Sequence, residues 1–130
     1  ITYYIEPVNL PNCYLDFSKT DYKITSNCNG GVKFVLVKGL SGVQGSISFQ
    51  SAEDNSLYIR HQSFIAYLHK FTLFNNIPQD GSFYILPSND NLYIKVQSTN
   101  YQNRFLQKKN LDFGIEESLT PDSHFKLLVY

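Results

Sequence analysis

The chain has 130 residues, with 11 basic and 11 acidic side chains and no net charge, so no general electrostatic pull toward nucleic acid or an anionic membrane is expected. Lys108-Lys109, with Arg104 nearby, is the one local basic cluster and reads as a solvated face. No apolar run approaches the ~20 residues of a membrane helix. The length fits one domain, 1–130, able to bury roughly two thirds of its unfolded surface.

Tyr and Phe make up 15% of the residues, while Trp and Met are absent. With many Ile, Val, Asn and Ser, this composition suits short strands joined by polar turns. A start at Ile1 without Met reads as a mature secreted product or an excised domain, which gives an extracellular expectation. There is no Asn-x-Ser/Thr sequon. Cys13 and Cys28 have neither zinc-site nor redox-pair spacing. A disulfide between them is favoured over two buried thiols, and no metal or other cofactor is expected.

In chain order, the first predicted strands are Tyr3–Val8, Cys13–Phe17, Tyr22–Thr25 and Lys33–Lys38. They are broken at Pro11-Asn12, Ser18–Asp21 and Asn27–Gly31, all turn chemistry. Gly39, Gly42 and Gly45 flank a connector. The next four strands are Ser46–Ser51, Leu57–His61, Ala66–Lys70 and Ser82–Leu86, with Phe74–Gly81 as the longest loop. After Pro87–Asn91 come Tyr93–Ser98, Arg104–Lys108, Phe113–Glu116 and His124–Val129. Phe64 to Phe74 has some helical spacing, but its aromatic and β-branched content favours strand. Leu111–Leu119 is a weak candidate for a single helical turn.

The twelve strands form three copies of four. Glu6-Pro7, Gln50-Ser51 and Gln97-Ser98 open equivalent segments, followed eight residues later by Tyr14-Leu15, Tyr58-Ile59 and Phe105-Leu106. Ile24, Leu68 and Ile115 stand nine residues beyond those aliphatics, and each copy closes on Phe34, Phe83 or Phe125. From first to last aromatic the copies span 20, 25 and 20 residues, so only the middle one carries an insertion. Three copies of about 44 residues (about 1–42, 43–90 and 91–130) predict an all-β fold, a β-trefoil: six barrel strands capped by three hairpins. Three blades are too few for a propeller, and a sandwich does not explain the threefold anchors. The predicted core is Ile5/Phe49/Val96, Leu15/Ile59/Leu106, Ile24/Leu68/Ile115 and Phe34/Phe83/Phe125.

Function is then sought where the copies differ. Two residues after the strand aliphatic stand Phe17, His61 and Lys108; three before the closing aromatic stand Gly31, Asp80 and Asp122. Only the middle copy pairs His with Asp, and in a trefoil these positions meet at the edge of one repeat. That copy, with Ser48-Phe49-Gln50-Ser51, Tyr58-Ile59-Arg60-His61 and Asp80-Gly81-Ser82-Phe83, resembles the arabinose-binding AbfB modules (family 42 carbohydrate-binding modules). Those carry Ser-Phe-x-Ser, Tyr-Leu-Arg-His and Asp-Ala-x-Phe motifs. The third copy matches more weakly, through Gln97-Ser98 and Asp122-Ser123-His124-Phe125, and the first keeps only apolar anchors.

The resemblance implies a β-trefoil that binds a terminal arabinofuranose in a shallow pocket. It points to His61 and Asp80, with Tyr58 as pocket wall, and to a second, altered position at Asp122 beside Lys108. A carboxylate accepts sugar hydroxyls, an imidazole donates or accepts, and an aromatic face packs on the C–H side of a sugar. His61 as a strand residue and Asp80 as a turn former before Gly81 is the competing structural reading. His69 and His124 lack matching partners, and Tyr101 reads as turn packing.

Catalysis has little support. No Ser or Cys sits in a nucleophile context, and Glu53-Asp54 and Glu116-Glu117 are adjacent pairs that read as turns facing water rather than carboxylates opposed across a cleft. The expectation is a non-enzymatic, lectin-like binding module for a glycan or protein ligand, without nucleic acid or membrane insertion, standing alone or as one part of a larger protein. The alternative is a secreted protein-binding trefoil acting through its loops, as a cytokine-like ligand, protease inhibitor, effector or toxin docking domain. The Phe74–Gly81 loop would then be its projecting element.

Overall fold

The computed structural model describes residues 1–72, 76–117 and 120–130. Its strands run β1 (Tyr3–Pro7), β2 (Tyr14–Phe17), β3 (Ile24–Asn27), β4 (Phe34–Lys38), β5 (Ile47–Ser51) and β6 (Leu57–Gln62). They continue as β7 (Ile65–Lys70), β8 (Phe83–Pro87), β9 (Ile94–Ser98), β10 (Phe105–Lys109), β11 (Asp112–Glu116) and β12 (Phe125–Val129). A helical turn α1 (Ile77–Asp80) precedes β8, and a 3-10 turn (Pro121–Ser123) precedes β12.

Pairing closes six of the strands into a ring. Full antiparallel ladders join β1 to β12, β4 to β5 and β8 to β9. Single register pairs, Tyr3↔Phe34, Ile47↔Phe83 and Phe125↔Ile94, complete the circuit. The other strands form the hairpins β2–β3, β6–β7 and β10–β11. This is a β-trefoil, and closing the barrel protects the open sheet edges that would otherwise be templates for aggregation.

All twelve predicted core residues are at most 1% exposed. Val32, Ala66 and Phe113 join them in the core, and Phe49 lies 6.4 Å from Phe34 and 5.8 Å from Phe83 between ring centroids. Each such Leu, Ile or Phe contributes about 2 kcal/mol through removal from water, which is why the anchors recur in all three copies. Cys13 and Cys28 are disulfide-bonded. Tethering residues 15 apart in sequence contributes about 3 kcal/mol on the chain-entropy account.

The structure departs from the expected elements in three places. The Phe74–Gly81 segment, expected as loop, forms the helical turn α1, with Pro78 at a first-turn position where its missing N–H is not needed; residues 73–75 lie outside the described residues. Leu111–Leu119, the candidate for a helical turn, contains strand β11, and the 3-10 turn comes later; residues 118–119 lie outside the described residues. Strand β3 begins at Ile24 rather than at Tyr22, whose φ of 63° is left-handed and breaks the extended run.

Candidate functional site

The site is built around Asp80, the last residue of α1. Gly81 follows it because a Cβ there would sit 2.8 Å from the Ile77 carbonyl and 3.1 Å from that of Ile59. The Gly81 carbonyl accepts from the buried Ser48 hydroxyl at 2.6 Å, so β5 fixes the backbone under the carboxylate. Its Oδ2 accepts from Arg60 Nη2 at 2.9 Å and its Oδ1 from Asn100 Nδ2 at 3.0 Å. A carboxylate offers about four acceptor positions, so further lone pairs remain for hydroxyl donors. The Arg60 side chain is 7% exposed and that of Asp80 18%, which makes the pair strongly oriented and costly to break.

His61 forms the floor. It is 3% exposed, its Nε2 lies 2.9 Å from Asn100 Oδ1 and 3.8 Å from Asp80 Oδ1, and the Ser98 hydroxyl lies 3.3 Å away. Asn100 turns its amide nitrogen to Asp80, so its carbonyl faces His61 and the imidazole donates from Nε2. Burial pushes the His61 pKa below its usual value, with Arg60 adding to the effect, while Asn100 and Asp80 oppose it. The neutral ring is therefore the working form near pH 7.

An open hollow of about 370 Å³ lies over this cluster, lined by Arg60, His61, Phe64, Asn76, Asp80 and Tyr101 among others. Tyr101 is 44% exposed, and its ring stands edge-on to those of His61 (5.5 Å) and Phe64 (5.2 Å). Arg104 covers the Phe64 ring, 3.7 Å from its centroid. Phe64 is displayed by a two-residue hairpin turn in which Ser63 and Phe64 both have positive φ, 52° and 65°. Such turns match the twist of the strands they join, but Phe is a rare occupant.

The structure thus brings His61 and Asp80 together, with one addition to the setting. They meet within the middle repeat, and Ser98, Asn100 and Tyr101 are added by the next. Tyr58 is not among the residues lining the hollow: its hydroxyl accepts from Gln50 Nε2 at 2.8 Å and its ring meets Phe71. The aromatic wall is Tyr101, which sequence reading assigned to turn packing. Asn100 and Phe64 were also missed. A signal for Asn100 existed, since Asn9 and Asn100 stand at the same offset from Glu6 and Gln97.

That repeat signal marks a second junction. Asn9 Nδ2 donates to Asp122 Oδ1 at 2.9 Å, the counterpart of Asn100 and Asp80. Gln107 takes the place of Arg60, and its Oε1 accepts from Thr120 Oγ1 at 3.1 Å. Among the described residues no ion pair reaches Asp122, so Lys108 does not act as its partner. In the first repeat a Cβ on Gly31 would meet the Leu15 carbonyl at 2.9 Å, as one on Gly81 meets that of Ile59. Gly31 is therefore the counterpart of Gly81 and not, as its spacing from Phe34 suggested, of Asp80; Gly30 stands where Asp80 does, and the first repeat has no carboxylate at that position. His69 faces Arg60, its Nδ1 3.3 Å from Nη1, and His124 stacks on Tyr93. Glu116 lies in β11 rather than in a turn and pairs with Lys109 at 3.0 Å.

Residues 3–126 match the profile of the α-L-arabinofuranosidase B (AbfB) domain. The chain belongs to the AbfB domain family. AbfB domains are carbohydrate-binding modules, so sugar binding is the coarse functional class of this one. The chain matches no curated protein sequence. Among solved structures it resembles a GH54 α-L-arabinofuranosidase soaked with 4-nitrophenyl α-L-arabinofuranoside, at 16% identity and TM-score 0.82, covering 98% of this chain and 30% of that one. It also resembles the Polyporus squamosus lectin, at 13% identity and TM-score 0.77, covering 97% and 48%. The BEL β-trefoil is similar at 10% identity and TM-score 0.78, covering 100% and 93%. At these identities the likeness establishes the trefoil fold. The AbfB chain spans about a third of the length of the arabinofuranosidases it matches.

Proposed function

We propose that this AbfB domain is a non-enzymatic module that binds a terminal arabinofuranose in the hollow at Asp80. The observation that carries this reading is the Asp80 carboxylate, held by Arg60 and Asn100 at the base of an open hollow beside the exposed ring of Tyr101. Two sugar hydroxyls donate to the carboxylate, and the Tyr101 face takes the C–H side of the ring. His61 holds Asn100 from below and so positions the amide rather than facing solvent. Asp122 is a weaker candidate for the same chemistry, oriented by Asn9 without a guanidinium.

The module acts as the targeting part of a larger secreted protein whose chemistry lies elsewhere. The neighbouring arabinofuranosidases, of which this fold is 30% of the chain, support that reading, as does a disulfide suited to an oxidising compartment. Calorimetric titration with methyl α-L-arabinofuranoside tests the site. Millimolar binding with one dominant site is expected, lost in Asp80→Asn and weakened about tenfold in Tyr101→Ala. Unchanged binding in Asp80→Asn, or no binding to the native protein, overturns the assignment.

A further inference from the structure

A second hollow, of about 380 Å³, is lined by Tyr22, Asp54, Leu57, Leu68, His69 and Lys70. Its two rings, Tyr22 and His69, belong to an aromatic ladder. Phe17 stacks on Tyr22 at 6.0 Å, Tyr22 meets His69 at 6.4 Å, and His69 stacks on Tyr67 at 4.6 Å. The β-trefoil core does not call for an exposed ring at position 22. The counterparts of Tyr22, two residues before the repeated core aliphatics, are Ala66 and Phe113, each 1% exposed, whereas Tyr22 is 45% exposed.

Its backbone explains the difference. Tyr22 holds φ at 63°, a conformation uncommon for a bulky side chain. Two hydrogen bonds keep it there, from its own N–H to the Ser18 carbonyl at 2.9 Å and from the Leu68 N–H to its carbonyl at 2.8 Å. Strain that the surrounding structure maintains in order to display a ring at the surface points to use of that ring.

The two hollows adjoin through a direct side-chain contact. Arg60 lines the first, His69 lines the second, and their side chains meet at 3.3 Å. The second hollow is concave and small, with an aliphatic floor and a rim carrying a carboxylate, an imidazole and an ammonium group. That mixture suits one sugar ring, apolar on its C–H face and hydroxylated at its edge; a protein partner would need a far broader surface.

Building on the proposed arabinofuranose site, we propose that the Tyr22–His69 hollow holds a pyranose of the chain to which the terminal arabinofuranose is attached. The module then reads a branched oligosaccharide, with its terminal sugar at Asp80 and its backbone sugar on Tyr22.

The test uses three probes, methyl α-L-arabinofuranoside, xylobiose and arabinofuranosyl-α-1,2-xylobiose, the last being the ligand of a structurally similar arabinofuranosidase. Tyr22→Asn removes the ring and keeps a residue that tolerates the left-handed backbone, so the fold should survive; an unchanged thermal midpoint checks this. The native protein is expected to bind the trisaccharide about tenfold more tightly than the arabinoside, and Tyr22→Asn is expected to erase that advantage while leaving arabinoside affinity unchanged. In NMR titrations the trisaccharide, but not the arabinoside, should shift the His69 ring resonances. A trisaccharide that binds no tighter than the arabinoside, or equally well to Tyr22→Asn, overturns the second site alone. Absence of binding by all three probes overturns the arabinofuranose reading, and this one with it.

Discussion

The junction between the second and third repeats and the junction between the third and first are built on one plan with different chemistry. At each, an asparagine near the start of one repeat donates to an aspartate in the closing segment of the repeat before it: Asn100 to Asp80, and Asn9 to Asp122. The first junction adds Arg60 and His61. The second has Gln107, turned toward Thr120, and Lys108. The Asn–Asp bond is thus part of how consecutive repeats dock, and it forms with or without a guanidinium on the carboxylate. What distinguishes the candidate site is the buried guanidinium that orients the carboxylate and the exposed ring beside it.

Substitution at the two aspartates should break this comparison most sharply. Asp80→Ala leaves Arg60 buried without its anion and should cost about 3 kcal/mol of stability. Asp122→Ala, which removes one exposed hydrogen bond, should cost under ~1 kcal/mol. Urea unfolding of the two variants measures both, and equal losses would show that Arg60 and Asp80 are not a buried pair. Gly81→Ala comes next, at about 2 kcal/mol for forcing a methyl against two carbonyl oxygens. It should also weaken arabinoside binding, because it displaces the backbone that carries Asp80.

Converting one junction into the other sharpens the contrast. Gln107→Arg with Lys108→His should raise arabinoside stoichiometry from one site toward two, measured by calorimetry. A double variant that folds and still binds at one site would mean that Tyr101, which has no aromatic counterpart at the second junction, matters more than the cation.

The smallest effect concerns pH. Burial lowers the pKa of both His61 and His69, with the Arg60 charge adding to each. Between the ordinary histidine value of 6.5 and the lower native values, the unfolded chain binds protons that the native one resists. Stability is therefore full above 6.5 and falls as pH drops through the native pKa values. Thermal midpoints recorded from pH 7.5 to 5 check the sign, and His69→Gln should make the fall shallower.

Much of this architecture was legible along the chain. The apolar anchors recur at fixed spacing because a threefold barrel needs the same volume filled three times, so all twelve core positions could be read without coordinates. Most of the motif residues shared with the AbfB family turn out to support the site rather than line it. Ser48 holds the Gly81 carbonyl, Gln50 holds Tyr58, and Ser51 accepts from the N–H groups of Glu53 and Asp54. Only Arg60, His61 and Asp80 reach the hollow. Tyr58 shares a strand face with Arg60 but stands two residues further from the Ser63–Phe64 turn, where its hydroxyl is bound to Gln50 and its ring meets Phe71, and the sequence does not state which ring a neighbouring repeat will supply.

The sequence by itself determined the repeat, the barrel strands, the core and the identity of the one His–Asp pair, because these depend on local periodicity and on comparing copies. Only the tertiary structure decided that the pair is completed by Asn100 and Tyr101 from the following repeat, that Lys108 does not serve Asp122, and that Tyr22 faces outward. Those outcomes depend on how separate repeats dock and on single backbone angles. A left-handed residue or a contact between repeats leaves no period in the chain.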